Sequence, residues 1–215
     1  MVAVKYLYLI AISLLLWSTG VGAAETQLSL PQPAQQLQAR LEKLDGVIAR
    51  FVQQVTNVQG FVVEETRGVL YLAKPRFRWE VESPLPQIII ADGDDIEIYD
   101  PDLEQVTQRN IQGDLQQAPL ALLSSGAALL TDHFTVSRGE LDAGGTHFVL
   151  RPIATDALFK TLELQFSGES LSGINIADHA GQQTFIRFEQ YQAQQVIQSS
   201  VFELDYPPGT DFVRG

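Results

Sequence analysis

The apolar positions around residue 40 recur with the period of an α-helix. Leu37, Leu41 and Leu44 lie among glutamine, arginine, glutamate and lysine residues, so one face of the segment is apolar and the other is polar. This spacing predicts an amphipathic helix that begins at Ala34. Gly46 follows at the position of a helix C-terminal cap, where glycine is favoured because it adopts the left-handed conformation easily.

After this helix the alternation changes to the period of two residues that is typical of strands. In the clearest case, Arg76 to Ser83, the side chains of Phe77, Trp79 and Val81 share one face and charged residues occupy the other. A hairpin turns at Asp92-Gly93, and short connections of this kind predict an antiparallel sheet of about eleven strands. Further strand signals lie at residues 133–138, 146–151, 162–167, 171–177, 184–191 and 197–204.

Helical signals are confined to two places. The second is the apolar patch Pro119 to Leu123, with a further turn at Ala127 to Thr131. A sheet of about eleven strands rarely stays flat, so we expect it to curl into a barrel or part of one. The helices then bury their apolar faces against its concave side. The predicted fold class is mainly β with an α lid. An open barrel covered by apolar helices can enclose an apolar ligand.

The N-terminus has the pattern of a secretory signal peptide. Lys5 precedes an apolar run from Tyr6 to Trp17 and a stretch of small residues, which predicts a signal peptide over residues 1–23 with cleavage after Ala23 or Ala24. The apolar run is shorter than the ~20 residues that a spanning helix needs. Residues 24–215 are then one domain, large enough to bury a core.

Composition narrows the possible functions. The chain has no cysteine, which excludes disulfides, thiol nucleophiles and attachment of a lipid to an N-terminal cysteine. Its 26 acidic against 14 basic residues give a formal net charge of −12. Such a charge repels nucleic acid and anionic lipid head groups and opposes self-association, so we expect a monomer that binds no nucleic acid.

The residues that usually carry catalysis are sparse. His133, His147 and His179 have no metal-ligand spacing, and the common nucleotide-binding and hydrolase motifs are missing from the sequence. The acidic run from Asp92 to Glu104 misses the calcium-loop pattern, and its Asp-Gly and Asp-Pro pairs are typical of hairpin turns. We therefore expect a binding protein for an apolar ligand, without metal or cofactor, and not an enzyme.

Lys74 is a charged residue on an otherwise apolar face of the strand that ends at Pro75. Alternation places it on the same face as Leu70 and Leu72. An ammonium group at the mouth of an apolar cavity needs hydrogen-bond partners, and the free carbonyls at a helix C-terminus are suitable acceptors. A strand-end lysine that extends into water fits the pattern equally well.

Several stretches together resemble the outer-membrane lipoprotein carrier (LolA) family of periplasmic chaperones, across roughly residues 34–213. Their order and spacing carry the resemblance, since no single stretch is diagnostic. They are Phe51-Val52-Gln53-Gln54, Arg67-Gly68-Val69-Leu70-Tyr71-Leu72, Lys74-Pro75, Phe77-Arg78-Trp79, Ala91-Asp92-Gly93, Tyr99-Asp100-Pro101-Asp102-Leu103-Glu104-Gln105, Phe202-Glu203-Leu204 and Pro207-Pro208-Gly209.

The resemblance implies an unclosed antiparallel β-barrel of eleven strands under a helical lid. It further implies a periplasmic chaperone that takes the acyl chains of lipoproteins from an inner-membrane ABC transporter and delivers them to an outer-membrane receptor. The family usually has an arginine latch where this chain has Lys74, and lysine lacks the arginine fork. The residues expected to line the cavity are Leu37, Leu41, Leu44, Phe51, Leu70, Leu72, Phe77, Trp79, Val81, Ile89, Leu120, Leu122 and Leu123.

Three related functions compete with this one. The receptor of the same pathway resembles a lipoprotein, and the lack of cysteine argues against it. A lipoprotein-sensing module of envelope stress signalling carries a second domain, for which we expect no room before Gly215. A carrier or sensor of another envelope lipid or glycolipid stays open.

Overall fold

The computed structural model describes residues 31–93, 95–110, 122–124, 130–142 and 144–214. Within these ranges one twelve-stranded sheet forms most of the protein, with two α-helices. The helices are α1 (Gln32–Lys43) and α2 (Leu130–His133). The strands are β1 (Val47–Thr56), β2 (Val62–Ala73), β3 (Arg76–Ser83), β4 (Gln87–Ala91), β5 (Asp95–Asp100), β6 (Gln105–Asn110), β7 (Phe134–Leu141), β8 (Gly145–Pro152), β9 (Phe159–Ser167), β10 (Ser170–Asp178), β11 (Gln183–Gln192) and β12 (Asp211–Arg214).

The two halves of the chain meet in the middle of the sheet. The strand order is β12-β6-β5-β4-β3-β2-β1-β11-β10-β9-β8-β7, so β1 and β11 are neighbours, with Phe51 opposite Phe188. All pairs are antiparallel except β12 with β6. The edge strands β12 and β7 do not pair with each other, which leaves the barrel unclosed. The predicted fold class is confirmed, with twelve strands in place of about eleven.

One predicted strand is wrong. Residues 197–204 form an extended segment with a 3-10 helix at Ser199–Phe202. Side chains hold this segment in place of a strand ladder. The Arg78 guanidinium donates to the Val201 carbonyl at 3.0 Å, and Arg76 lies over the Phe202 ring at 4.8 Å. The last strand is instead β12, which follows the turn at Pro207–Gly209.

Helix α1 lies where the leucine spacing predicts it, and begins two residues earlier because Pro33 suits the first helical turn. Its buried face carries Leu37 and Leu41, each with 0 % exposure. Gly46 then reverses the chain into β1 with φ +59°, and a Cβ at this position would lie 2.8 Å from the Gln195 backbone nitrogen. Glycine is required there both by the backbone conformation and by this close approach.

The core lies on the concave face of the sheet. In β3 the side chains of Phe77, Trp79 and Val81 are buried and those between them are more exposed, as the alternation predicts. Because α1 packs its leucines into the same cluster, the helix and the concave face share one core.

The described ranges contain no helix that is both long and apolar enough to cross a membrane. Residues 1–23 lie outside these ranges, so the signal peptide and its cleavage after Ala23 or Ala24 stay predictions.

Candidate functional site

Most of the residues expected to line a cavity belong to the buried cluster that contains the leucines of α1. Ile89 is partly buried and packs against the core cluster. Leu120 lies outside the described residues. The other expected residues belong to the buried cluster itself: Leu37, Leu41, Leu44, Phe51, Leu70, Leu72, Phe77, Trp79, Val81, Leu122 and Leu123. In this closed arrangement they contact one another, so their role in ligand binding stays a prediction.

Aromatic rings fill the centre of this cluster. The rings of Phe51 and Trp79 stack with centroids 3.6 Å apart, and Phe188 meets the Trp79 ring edge-on at 6.3 Å. Gly68 lies opposite Phe51 in the ladder, and a Cβ at Gly68 would lie 2.7 Å from the Phe51 ring and overlap the Glu80 carbonyl. The absence of a side chain at Gly68 therefore gives the Phe51 ring its space.

Lys74 joins the β2–β3 turn to the C-terminal end of α1. Its ammonium group donates to the Leu41 carbonyl, which also accepts the Leu44 N–H at 3.0 Å. The Asp45 carboxylate accepts the backbone N–H of Lys74 at 3.0 Å and that of Gly46 at 3.0 Å. A cation near helix C-terminal carbonyls is favourable because the carbonyls carry partial negative charge.

The surroundings of Lys74 also shift its pKa. Burial lowers the pKa of the Lys74 ammonium, and the negative charges of Asp45 and Glu42 oppose that shift. The two negative charges therefore offset only part of the cost of removing the ammonium group from water. Of the two arrangements that the sequence left open, the side chain adopts the one that bonds to the helix.

A second set of contacts holds α1 from the other side. Arg40 donates to the Gly168 carbonyl in the β9–β10 turn, and its guanidinium lies 5.1 Å from the Phe166 ring centroid. Lys43 pairs with Glu169 at 2.7 Å, although both side chains are more than 60 % exposed (66 % and 63 %). These contacts join residues over 120 positions apart (126 and 128), and the sequence analysis missed them.

A cavity of about 550 Å³ opens at the end of the β2–β3 hairpin opposite Lys74. Its apolar wall includes three of the expected lining residues, Trp79, Val81 and Ile89. Its polar residues come from the adjoining strands, and the exposed loop between β3 and β4 closes one side. The remaining lining residues are Gln53, Glu64, Thr66, Pro84, Leu85, Pro86, Gln87 and Asp100.

Asp92, His147 and His179 have structural partners. The Asp92 carboxylate accepts the Asp95 N–H at 3.0 Å across the β4–β5 turn, which is the hairpin role that the sequence favours. His147 lies 3.0 Å from Glu163, and His179 lies 3.0 Å from the Ala157 carbonyl. Across the described ranges, no three histidine or carboxylate side chains are grouped so that they could hold a metal ion.

Structural comparison finds solved structures with a similar fold. An uncharacterized conserved protein from Thermus thermophilus matches 86 % of this chain and 100 % of its own, with a TM-score of 0.54 and 15 % identity. A LolA superfamily protein from Nitrosomonas europaea matches 82 % of this chain and 100 % of its own, with a TM-score of 0.51 and 11 % identity. At such identities the likeness concerns the fold alone.

Sequence comparison is more specific. The family model of the outer membrane lipoprotein carrier protein LolA matches residues 42–205. An outer-membrane lipoprotein carrier protein from Chromohalobacter salexigens is 36 % identical over 92 % of this chain and 96 % of its own. Its counterpart in Pseudomonas fluorescens is 34 % identical over 86 % of this chain and 89 % of its own. This chain therefore belongs to the LolA family of outer-membrane lipoprotein carrier proteins.

Proposed function

We propose that this protein is a periplasmic carrier that binds the acyl chains of lipoproteins on the concave face of its half-barrel. The helix α1 opens to admit the chains and closes when they leave. The carrier receives its cargo from an inner-membrane ABC transporter and passes it to an outer-membrane receptor. Family membership supports the carrier role, and the arrangement of α1 over a continuous apolar face supports the mode of binding.

The observation that carries the proposal is the way in which α1 is attached. The helix covers the apolar face with Leu37, Leu41 and Leu44, and its part-buried polar attachment among the described residues is the hydrogen bond from Lys74 to the Leu41 carbonyl at its C-terminal end. Breaking this contact loosens the helix without disturbing a strand ladder. An acyl chain can then take the place of the leucines.

The energies of this exchange are similar in size. Exposing three buried leucines costs on the order of 5–9 kcal/mol, since each contributes about 1.5–3 kcal/mol when buried. Enclosing a 16-carbon chain gains about 12 kcal/mol at ~0.8 kcal/mol per methylene. The net gain is therefore about 3–7 kcal/mol, well below the gross gain, and the carrier can release its cargo to a receptor.

Displacement of a bound apolar dye tests the proposal. The processed protein should bind about one dye per chain, and an acylated lipoprotein should displace it because both occupy the same apolar face. A non-acylated form of the same lipoprotein is the matched control. Equal displacement by both forms would contradict acyl binding.

Depletion of the protein tests the pathway. Lipoproteins destined for the outer membrane should then accumulate at the inner membrane. Normal sorting after depletion, with dye displacement intact, would indicate a carrier of another envelope lipid.

A further inference from the structure

Apolar burial alone cannot tell a lipoprotein from a phospholipid, because the two carry similar acyl chains and the hydrophobic effect scales with buried area. A carrier that works between two phospholipid membranes therefore needs an element that disfavours the binding of phospholipid. The polar wall of the 550 Å³ cavity has the chemistry of such an element.

The charges on that wall have one sign. Glu64 and Asp100 line the cavity, and no lysine or arginine is among the lining residues that the structure describes. The Asp100 carboxylate accepts a hydrogen bond from the Gln87 amide at 2.7 Å, which holds it in place. An anionic group that entered this cavity would meet two carboxylates without a compensating cation among them.

The same wall also contains a side chain that can hydrogen-bond to an uncharged group of a ligand. Thr66 lines the cavity, is 8 % exposed, and its hydroxyl has no hydrogen-bond partner within the described chain. A buried hydroxyl without a partner is unfavourable, and rotation about χ1 exchanges its position with that of the methyl group. Beside it, Gln53 adds an amide to the lining. Both side chains can donate to an ester or amide carbonyl.

We propose that this cavity selects acyl chains by the charge of the group that carries them. It accepts the uncharged glyceryl ester and amide linkages of an acylated protein N-terminus, with Thr66 as a donor to a carbonyl oxygen. It rejects the anionic phosphodiester of a phospholipid through Glu64 and Asp100. The inference rests on the acyl-carrier function proposed above.

The test compares two lipids that differ only in the head group, dioctanoylglycerol and dioctanoylphosphatidylglycerol, by displacement of the apolar dye. The parent protein should prefer the neutral lipid. The double variant Glu64→Gln/Asp100→Asn should bind the phosphatidylglycerol about tenfold more tightly than the parent does, with little change for dioctanoylglycerol. Added salt should shrink the difference, since the repulsion is partly screened.

The matched control removes two carboxylates elsewhere. The variant Glu203→Gln/Asp205→Asn changes the net charge equally, at exposed positions of the segment that precedes β12. It should leave both affinities unchanged. If it raises phosphatidylglycerol binding as much as the cavity variant, or if the cavity variant raises the binding of both lipids equally, the selection by the cavity is refuted.

Thr66→Val tests the donor separately. It should weaken binding of the diester dioctanoylglycerol about fivefold and leave the diether dioctylglycerol, which has no carbonyl, unaffected. Equal effects on both lipids would overturn the role of Thr66. If neither lipid displaces the dye from the folded parent protein, the acyl-carrier function itself fails, whereas equal binding of neutral and anionic lipid refutes only the selection.

Discussion

Lys74→Leu separates the closing of the lid from the binding of cargo. The substitution removes the ammonium group that donates to the Leu41 carbonyl at the end of α1. It also adds a branched apolar side chain next to the path of a departing acyl chain. Both changes favour the loaded state over the closed empty state.

The free energy lost with the Lys74–Leu41 hydrogen bond depends on how far that bond is exposed to solvent. A hydrogen bond from a charged donor contributes about 1.5–3 kcal/mol, and partial exposure to solvent reduces this to about 1–1.5 kcal/mol. That loss raises the ratio of open to closed lid about tenfold. The new leucine adds up to about 1.5–3 kcal/mol in favour of the loaded state where it is fully buried against lipid.

The assay is the recovery of carrier with bound lipoprotein, followed by receptor-dependent release. Lys74→Leu should take up cargo and release it poorly, while Lys74→Arg should work at least as well as the parent because arginine keeps the charge and adds donors. Lys43→Leu is the matched control. Its ion pair with Glu169 is exposed, so its loss should leave stability nearly unchanged and release intact.

If Lys74→Leu loads and releases cargo like the parent, the bond to Leu41 does not govern the lid. If Lys43→Leu retains cargo as strongly as Lys74→Leu, removal of any helix-end lysine is sufficient and the position of Lys74 is not special.

The remaining predictions concern stability, pH and the acidic turn. Gly68→Ala should lower the free energy of unfolding by about 2–3 kcal/mol, because its Cβ would meet the Phe51 ring and the Glu80 carbonyl; unchanged denaturant melting would contradict this packing. Burial and the hydrogen bond to Glu97 raise the pKa of Tyr206, so the folded protein holds this proton more tightly than the unfolded chain and stability falls as the pH rises above about 10. Tyr206→Phe should flatten that loss in urea titrations across this range, and an equally steep loss in the variant would refute the assignment. Asp94→Asn with Asp95→Asn should leave transfer almost intact, since the Asp95 N–H bonds to the Asp92 carboxylate across a hairpin turn; loss of transfer in a folded variant would reopen a metal or catalytic role.

The sequence predicted the parts of the fold that have a local signal. The leucine spacing at 37, 41 and 44 predicted α1, and the alternation in residues 76–83 predicted which side chains of β3 are buried. The apolar periodicity that marks the buried face is contained within each helix or strand. The buried face can therefore be inferred without knowing which element packs against it.

The parts that depend on distant partners were harder to infer. Residues 197–204 alternate like a strand, but Phe202 is buried against Arg76 and the segment forms a 3-10 helix. The Asp211–Arg214 strand is too short to give a clear period. The strand position of Lys74 left open whether its side chain bonds to a helix end or extends into water, and the contact between Lys43 and Glu169 has no local signal.

The central claim is that acyl chains bind within the apolar cluster that α1 shares with the sheet, where Trp79 stacks on Phe51. Trp79 and Trp17 are the two tryptophans of the chain, and Trp17 lies within the expected signal peptide, so in the processed protein the tryptophan fluorescence comes from Trp79. The direct measurement is its quenching by a lipopeptide with a nitroxide quencher along the acyl chain, with binding followed independently by calorimetry. Strong quenching at saturation, absent when the quencher is on the peptide's C-terminal end, is the expected result. Saturable binding of the chain-labelled lipopeptide without quenching of Trp79 would contradict the claim.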